Sequence, residues 1–292
     1  MLKTVFFNLH QIELKNQQTY HWLEGFEGLL NDLKRNSINL FSIDKNLENE
    51  CRQLHTKKEE CIVVTDNESM VKECFHLQIP CIAYENSRVN KQDLFRANML
   101  VEGFMEVNYR FVLEVYQRFY QIPIVIATTN RLLIREMKLQ DLDELYALYE
   151  DASMTRFLEP LYEKEEEIEF TKAYIKNMYG FYGYGLWSIL DKRTGKLVGR
   201  AGLSNREVDG EIQIELGYMI GVAYQRKGLA FEACQEILKF AVEKLECLFV
   251  NCFIHPDNVA SIQLVKKLGF VYRQEVEIAN EKLSWYRWTY EE

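Results

Sequence analysis

The sequence predicts two α/β units in succession: a Rossmann-like parallel-sheet domain over residues 1–128, then an α+β domain with a mixed, mostly antiparallel sheet over residues 131–292. Three observations carry this. The chain has 292 residues with an ordinary apolar share of 48%, which is more chain than one hydrophobic core usually serves. Its first part alternates short β-rich runs with helical spacing, the pattern of parallel strands joined by helical crossovers. Its second part contains strands joined by a tight polar turn, as in an antiparallel hairpin.

In the first part, Thr4-Val5-Phe6-Phe7, Ile38-Asn39-Leu40-Phe41, Cys61-Ile62-Val63-Val64, Pro80-Cys81-Ile82-Ala83 and Met99-Leu100-Val101 read as strands. Segments around 20–35, 46–57, 67–77 and 108–120 have helical spacing, with Phe111, Val115 and Phe119 on one face. The pattern ends over 124–130, and Arg131-Leu132-Leu133-Ile134-Arg135 opens a new strand, which puts the domain boundary there. The connection is short and lacks a Gly/Ser-rich linker, so the two domains are expected to be closely apposed. Helices over 139–150 and 163–179 follow, then strands 184–190 and 196–204 joined by the turn Asp191-Lys192-Arg193-Thr194-Gly195. A strand over 211–220, a helix over 228–245, a strand over 248–254, a helix over 258–267 and an antiparallel pair over 270–277 and 282–290 complete the order.

Composition narrows the function. The formal charge of −9 divides into −3 for residues 1–130 (14 basic, 17 acidic) and −6 for residues 131–292 (21 basic, 27 acidic), so neither half has the basic surplus of a nucleic-acid binder. The acidic surface suits a cationic acceptor such as an amine, or simply keeps the protein soluble. No apolar stretch reaches the roughly 18 residues of a membrane span, and Met1-Leu2-Lys3-Thr4 runs straight into a short strand, so neither secretion nor a membrane partner is expected. The seven cysteines lie mostly in apolar runs and form no Cys-x-x-Cys pair, which argues for reduced core residues, no metal site and a cytoplasmic location.

The informative stretch is Ile214-Glu215-Leu216-Gly217-Tyr218-Met219-Ile220 followed by Gly221-Val222-Ala223-Tyr224-Gln225-Arg226-Lys227-Gly228-Leu229-Ala230. A strand leads through a tight loop into a long helix. The first turn of a helix has unpaired N–H groups, and with the helix dipole they form a site for an anion such as a pyrophosphate. Gly228 lets the backbone approach closely and Ala230 adds little bulk, while Arg226 and Lys227 bring positive charge. Ala230, Ala233, Ile237, Phe240 and Ala241 are spaced to form one buried face, leaving the N-terminus of the helix open.

Gln225-x-x-Gly228-x-Ala230 resembles the pyrophosphate-binding Gln/Arg-x-x-Gly-x-Gly/Ala loop of the GNAT (Gcn5-related) N-acetyltransferases. Asn258-Val259-Ala260-Ser261 and Lys267-Leu268-Gly269-Phe270 resemble that family's Asn-x-x-Ser and Lys-x-Gly-Phe signature. With the opening Arg131-Leu132-x-x-Arg135…Asp141-x-x-x-Leu145, the resemblance is closest to the Rim-type branch, which acetylates ribosomal-protein N-termini.

The resemblance implies a splayed sheet and acetyl-CoA as cosubstrate. Gln225, Arg226, Lys227, Gly228, Leu229 and Ala230 would hold the diphosphate, and the Met219 and Ile220 backbone would pair with the pantetheine arm or bind the oxyanion. Asn258 matches the family asparagine near the cofactor, or is only a helix cap. Direct transfer to an amine needs a base and a proton donor for the departing thiolate. Glu215 aligns with the base of many relatives, the alternative being a strand glutamate that faces solvent or pairs with Lys or Arg. Many relatives place a tyrosine as the acid four residues before Gly-Phe, where this chain has Val265; Ser261, Tyr272 or water remain as donors, with Ser261 preferred. The implied acceptor is a primary amine, on a protein N-terminus or a small molecule. The competing reading is a non-enzymatic acetyl-CoA sensor.

Tyr179, Phe181, Tyr182 and Tyr184, interleaved with Gly180, Gly183 and Gly185, line the acceptor pocket or form a packed loop. The acidic run 163–169 reads as a solvated helix face. In the first domain, Phe6-Phe7-Asn8-Leu9-His10, Ser42, Val64-Thr65-Asp66-Asn67 and Ile79-Pro80-x-Ile82-Ala83-Tyr84 resemble haloacid-dehalogenase-like (HAD-like) phosphatases, with Asn8 and His10 where that family places two aspartates. An amide is a far poorer nucleophile than a carboxylate, and Asp66 alone makes a weak magnesium site. The expectation is a catalytically degenerate domain used for binding or oligomerisation, homo-oligomers included.

Overall fold

The computed structural model describes residues 1–10, 23–44, 46–87, 91–208 and 210–291. The chain divides into two compact units, Met1–Ile122 and Pro123–Glu292.

The first unit is a five-stranded parallel sheet. Its strands are β1 (Thr4–Asn8), β2 (Asn39–Ser42), β3 (Cys61–Thr65), β4 (Cys81–Tyr84) and β5 (Met99–Val101), in the order β2-β1-β3-β4-β5. The helices are α1 (Phe26–Arg35), α2 (Leu47–Gln53), α3 (Glu68–Leu77) and α4 (Tyr109–Phe119). β1 and β3 are buried almost throughout, as strands covered on both faces must be. One core joins Phe7, Ile62 and Val64 to Phe26, Leu29, Leu33, Val112 and Val115; the other joins Phe6, Cys61 and Val63 to Leu47, Cys51, Met70, Val71 and Cys74. Helices thus cover both faces, and the strand order is that of the flavodoxin-type doubly wound sheets.

Residues 20–22 of the first expected helix lie outside the described residues. α4 buries Val112, Val115 and Tyr116, whereas Phe111 and Phe119 are only half-buried. The buried face is turned by about one residue from the expected one because Tyr116 is drawn inward, where its hydroxyl donates to the Glu59 carbonyl.

The second unit is built on an eight-stranded mixed sheet of order β12-β13-β11-β10-β9-β8-β7-β6. Its strands are β6 (Val125–Thr128), β7 (Leu132–Arg135), β8 (Leu186–Asp191), β9 (Leu197–Val208), β10 (Glu211–Ile220), β11 (Phe249–Ile254), β12 (Val271–Ile278) and β13 (Glu281–Thr289). β6 pairs antiparallel with β7, so the stretch read as the end of the first pattern is the edge strand of the second sheet. Its apolar run Ile124-Val125-Ile126-Ala127 resembles the parallel strands before it, and only pairing distinguishes the two.

The helices of this unit are α5 (Leu142–Tyr149), α6 (Lys164–Tyr174), α7 (Leu229–Leu245) and α8 (Val259–Lys267). α6 runs into a π-helical segment, Ile175–Tyr182, which carries the helix past its expected end at residue 179 and through Gly180. α7 buries Leu229, Ala233, Cys234, Ile237, Leu238 and Ala241 on the sheet, with Ala230 and Phe240 packed at the margin. The Phe240 ring meets Trp187 of β8 edge-on, at 4.9 Å between centroids. Among the described residues, no helix is long and apolar enough to cross a membrane.

Candidate active site

β10 organises the site. On one side it pairs antiparallel with β9 along its whole length, from Glu211–Val208 to Ile220–Gly199. On the other it runs parallel to β11 and registers at a single pair, Glu215–Asn251. From Leu216 to Ile220 that edge therefore has no registered strand neighbour, and the two strands splay. Met219 and Ile220 lie at the open end of the wedge, with buried side chains.

Past Ile220 the chain makes a 3-10 turn, Val222–Tyr224, and reaches α7 through Gln225 to Gly228. The Gln225 amide donates back to the Ile220 carbonyl at 2.9 Å, which ties the loop to the strand end. Gly228 is the residue preceding the helix, in the left-handed region at φ 76°, and no side chain caps the helix start. Among the described hydrogen bonds, the backbone N–H groups of Arg226, Lys227, Gly228, Leu229 and Ala230 donate to no protein acceptor. Arg226, Lys227 and Gly228 are exposed. These donors converge at the positive end of a 17-residue helix, an arrangement suited to an anion.

Arg131, the residue just before β7, supports the loop. Its Nη1 donates to the Lys227 carbonyl at 2.8 Å, and its Nε to the Glu232 carboxylate at 2.6 Å. Burial alone would raise the Glu232 carboxyl, but hydrogen bonds from Thr129 and Arg131 outweigh it and hold the group below the usual glutamate range. The first-turn carboxylate is thus matched by Arg131. The Lys227 ammonium folds back onto the Ala223 carbonyl at 2.7 Å. Leu229 points into the core and contributes its amide to the loop, not its side chain.

Of the two candidate catalytic side chains, Glu215 leaves β10 on one face, and Ser261, on α8, meets the opposite face through Tyr218. Glu215 shares a face with Gln213 and Met219, away from α7. It is buried, and Arg206 Nε donates to its carboxylate at 2.8 Å. Burial pushes the carboxyl above the ordinary glutamate value, while the Arg206 charge and hydrogen bond and the Phe253 backbone N–H pull the other way. Pairing with an arginine, one of the alternatives for this residue, is therefore present, and it coexists with a carboxylate more basic than usual.

Three residues along, Tyr218 faces α8. Its hydroxyl lies 2.6 Å from the Ser261 hydroxyl. Burial pushes the Tyr218 phenol well up, the Ser261 contact offsetting part of this. Asn258 caps α8, its Oδ1 accepting from the Ser261 N–H at 3.2 Å, so the helix-cap role is present.

Val265 is fully buried in the core. Tyr272, on β12, packs edge-on against Tyr286 at 5.6 Å between centroids. Sheet order puts β12 three strands from β10. At strand spacings of roughly 4.8 Å that is about 14 Å, farther from β10 than Ser261, which touches the Tyr218 hydroxyl. Residue-by-residue reading missed Tyr218. Strand alternation puts it on the face opposite Glu215, and its pairing with Ser261 depends on where α8 docks.

The aromatic-glycine segment divides. Tyr179 and Tyr184 are packed, the first bonded to the Leu186 carbonyl and the second to Asn205 at 2.6 Å. Phe181 and Tyr182 are exposed and meet edge-to-face at 5.0 Å. In the acidic run, Glu167 is buried and accepts from the Tyr162 N–H, while Glu163, Glu165, Glu166 and Glu169 face solvent.

In the first unit, Asn8, His10 and Asp66 meet at the carboxyl ends of β1 and β3, where a doubly wound sheet opens its crevice. Both ends of the Asn8 amide are committed. Its Nδ2 donates to the Ile43 and Asp44 carbonyls at 2.8 and 3.0 Å, and its Oδ1 accepts from Thr65 at 2.9 Å. The Asp66 carboxylate accepts the His10 N–H at 3.0 Å and the Asn86 amide at 2.7 Å. Among the described residues no group of three or more His, Cys, Asp or Glu is placed to hold a metal ion.

Residues 131–271 match the family described as the acetyltransferase (GNAT) domain. The uncharacterized protein YkkB of Bacillus subtilis (strain 168) is 28% identical over 159 residues, which cover 54% of this chain and 92% of YkkB. The uncharacterized N-acetyltransferase YnaD of the same organism is 28% identical over 142 residues, 49% of this chain and 80% of YnaD. Among solved structures, the ribosomal L7/L12 alpha-N-protein acetyltransferase RimL in complex with coenzyme A superposes with a TM-score of 0.50 at 15% identity, covering 57% of this chain and 98% of RimL. That likeness is one of fold. Residues 131–271 of this chain are a GNAT acetyltransferase domain.

Proposed function

We propose that the second unit transfers acetyl from acetyl-CoA to a primary amine, on a small molecule or a protein N-terminus, by direct attack in a ternary complex. The observation that supports this most is the row of unpartnered amides from Arg226 to Ala230 beside the wedge between β10 and β11. In this reading the diphosphate lies on those amides and the pantetheine arm enters the wedge along Met219 and Ile220. A groove of about 420 Å³ beside α7, lined in part by Phe231, Gln235 and Lys267, is available to the nucleotide end. Asn258 shapes the start of α8 and lies near the arm.

Glu215 takes the proton from the amine, directly or through water. The C–N bond forms as a backbone N–H near Met219 or Ile220 holds the oxyanion, and the C–S bond then breaks. Ser261, backed by the Tyr218 hydroxyl, donates to the departing sulfur. The base on β10 and the donor at the start of α8 would flank a thioester that enters the wedge beside that strand.

The first unit is proposed as HAD-like and catalytically silent, serving binding or association. The likeness rests on the positions of Asn8, His10 and Asp66 at strand ends, and the silence on the committed Asn8 amide. Phosphatase turnover of a generic aryl phosphate with magnesium would overturn it. The transferase reading is tested by calorimetric titration with acetyl-CoA, followed by a free-thiol assay across a panel of amines. Acetyl-CoA binding with amine-dependent thiol release is the expected result; binding with no release under any amine would turn the reading to a sensor.

A further inference from the structure

Arg135 of β7, Ser188 of β8, Arg200 of β9 and Met219 of β10 stand in register across the sheet, on the face that carries Glu215. Two arginines on this face have carboxylate partners: Arg135 is 2.7 Å from Asp141 and Arg206 is 2.8 Å from Glu215. Arg200 differs. Its Nε is buried with no hydrogen-bond partner, and its described hydrogen bond is one long contact, 3.4 Å, to the Tyr149 hydroxyl. Among the described residues no carboxylate pairs with it. A guanidinium donates through five N–H groups, and keeping it partly buried without a counter-charge is unfavourable unless something else supplies the anion.

The surroundings indicate what that anion belongs to. Arg200 sits opposite Met219, level with the open end of the wedge but on the other side of β10, and on the same face as the proposed base. Met219 stands four steps along β10 from Glu215, about 13 Å at a strand rise of roughly 3.3 Å. The arginine therefore stands at one end of a short track whose other end is the carboxylate. The diphosphate has its own donors at the start of α7, so it does not account for Arg200.

We propose that Arg200 anchors a carboxylate or phosphate carried by the acceptor, so that the substrate is a small amine with an anionic group of its own. This rests on the transferase reading above and selects the small-molecule class within it. Arg200 presents paired N–H donors to the anion, and the amine is thereby directed toward Glu215 and the thioester.

The test uses matched acceptors that differ in the anion alone: phenylalanine with phenethylamine, glycine with methylamine, and phosphoethanolamine with ethanolamine. Thiol release from acetyl-CoA is followed with the full-length wild type and with Arg200→Gln and Arg200→Lys. The anionic member of at least one pair is expected to be favoured about tenfold or more in kcat/KM, mainly through KM. The carboxylate and phosphate pairs distinguish the two sources of charge. Arg200→Gln should abolish the preference and Arg200→Lys keep part of it, both with unchanged calorimetric affinity for CoA. If no acceptor is turned over, the same pairs are titrated into the CoA complex, where only the anionic members should bind. Equal use or binding of both members, or equal losses for both in Arg200→Gln, would overturn the proposal while leaving the transferase reading intact. Failure of the wild type to bind acetyl-CoA would remove both.

Discussion

Replacing Gly228 by alanine isolates the contribution of the loop. At φ 76° a side chain is strained wherever it points, and a Cβ there would meet nothing closer than Arg131 Nη2 at 3.6 Å, an ordinary contact. The cost is therefore conformational, about 1–2 kcal/mol for an L-residue in the left-handed region. Arg226, Lys227 and Gly228 are exposed and their amides are unpartnered among the described residues, with side-chain tethers from Arg131 to the Lys227 carbonyl, Lys227 to the Ala223 carbonyl and Gln225 to the Ile220 carbonyl. The free loop can relax into a less strained form, so the strain falls on the binding step. Calorimetric titration with CoA should then show a Kd raised about five- to thirtyfold, with little change in thermal stability. Gly195, in the turn between β8 and β9, is the control. It has φ 71° and open space around its Cβ position, so Gly195→Ala carries a similar strain and should leave CoA affinity unaltered. Gly228→Ala binding CoA within twofold of the wild type would refute the reasoning, as would an equal loss of affinity in Gly195→Ala.

Glu215→Gln should lower kcat/KM by about a hundredfold or more at unchanged CoA affinity. Because burial raises the Glu215 carboxyl, the wild-type rate should fall with decreasing pH from above the ordinary glutamate range, and the variant should lose that acid limb. Ser261→Ala and Tyr218→Phe should each reduce kcat, and the double variant should lose less than the two separate effects combined. Full turnover in Ser261→Ala would remove it as donor. Arg135→Ala leaves the buried Asp141 carboxylate, which also accepts from Ser188 at 2.8 Å, without its counter-charge, and should cost about 3–5 kcal/mol in denaturant unfolding. Burial raises the Asp141 carboxyl, but Arg135, the Lys138 N–H and Ser188 together hold it below its usual value. Its contribution is thus complete at neutral pH and lost as pH drops below about 4, where the unfolded carboxyl begins to protonate.

Local chemistry was legible in the sequence, and its tertiary use was less so. The passage from β10 through Gly228 to α7 was readable because a glycine after a polar turn and an amphipathic helix each have short-range causes. The α7 face was also readable: Ala233, Ile237 and Ala241 recur at helical spacing and are buried. The Asn258 cap needs only its own first turn. Four features depend on long-range packing. β6 has the composition of a parallel strand and belongs to the other sheet because it pairs with β7. The buried face of α4 is set by Tyr116 reaching the Glu59 carbonyl. Tyr218 meets Ser261, and Arg200 finds no carboxylate among the described residues, for reasons of register and docking that no sequence window contains.

The most direct measurement is a crystal structure of the full chain with CoA. The account predicts diphosphate oxygens within hydrogen-bonding distance of the backbone N–H groups between Arg226 and Ala230, with the pantetheine arm in the wedge beside Met219 and Ile220. A complex in which CoA lies elsewhere, or in which those amides turn to protein acceptors, would contradict it.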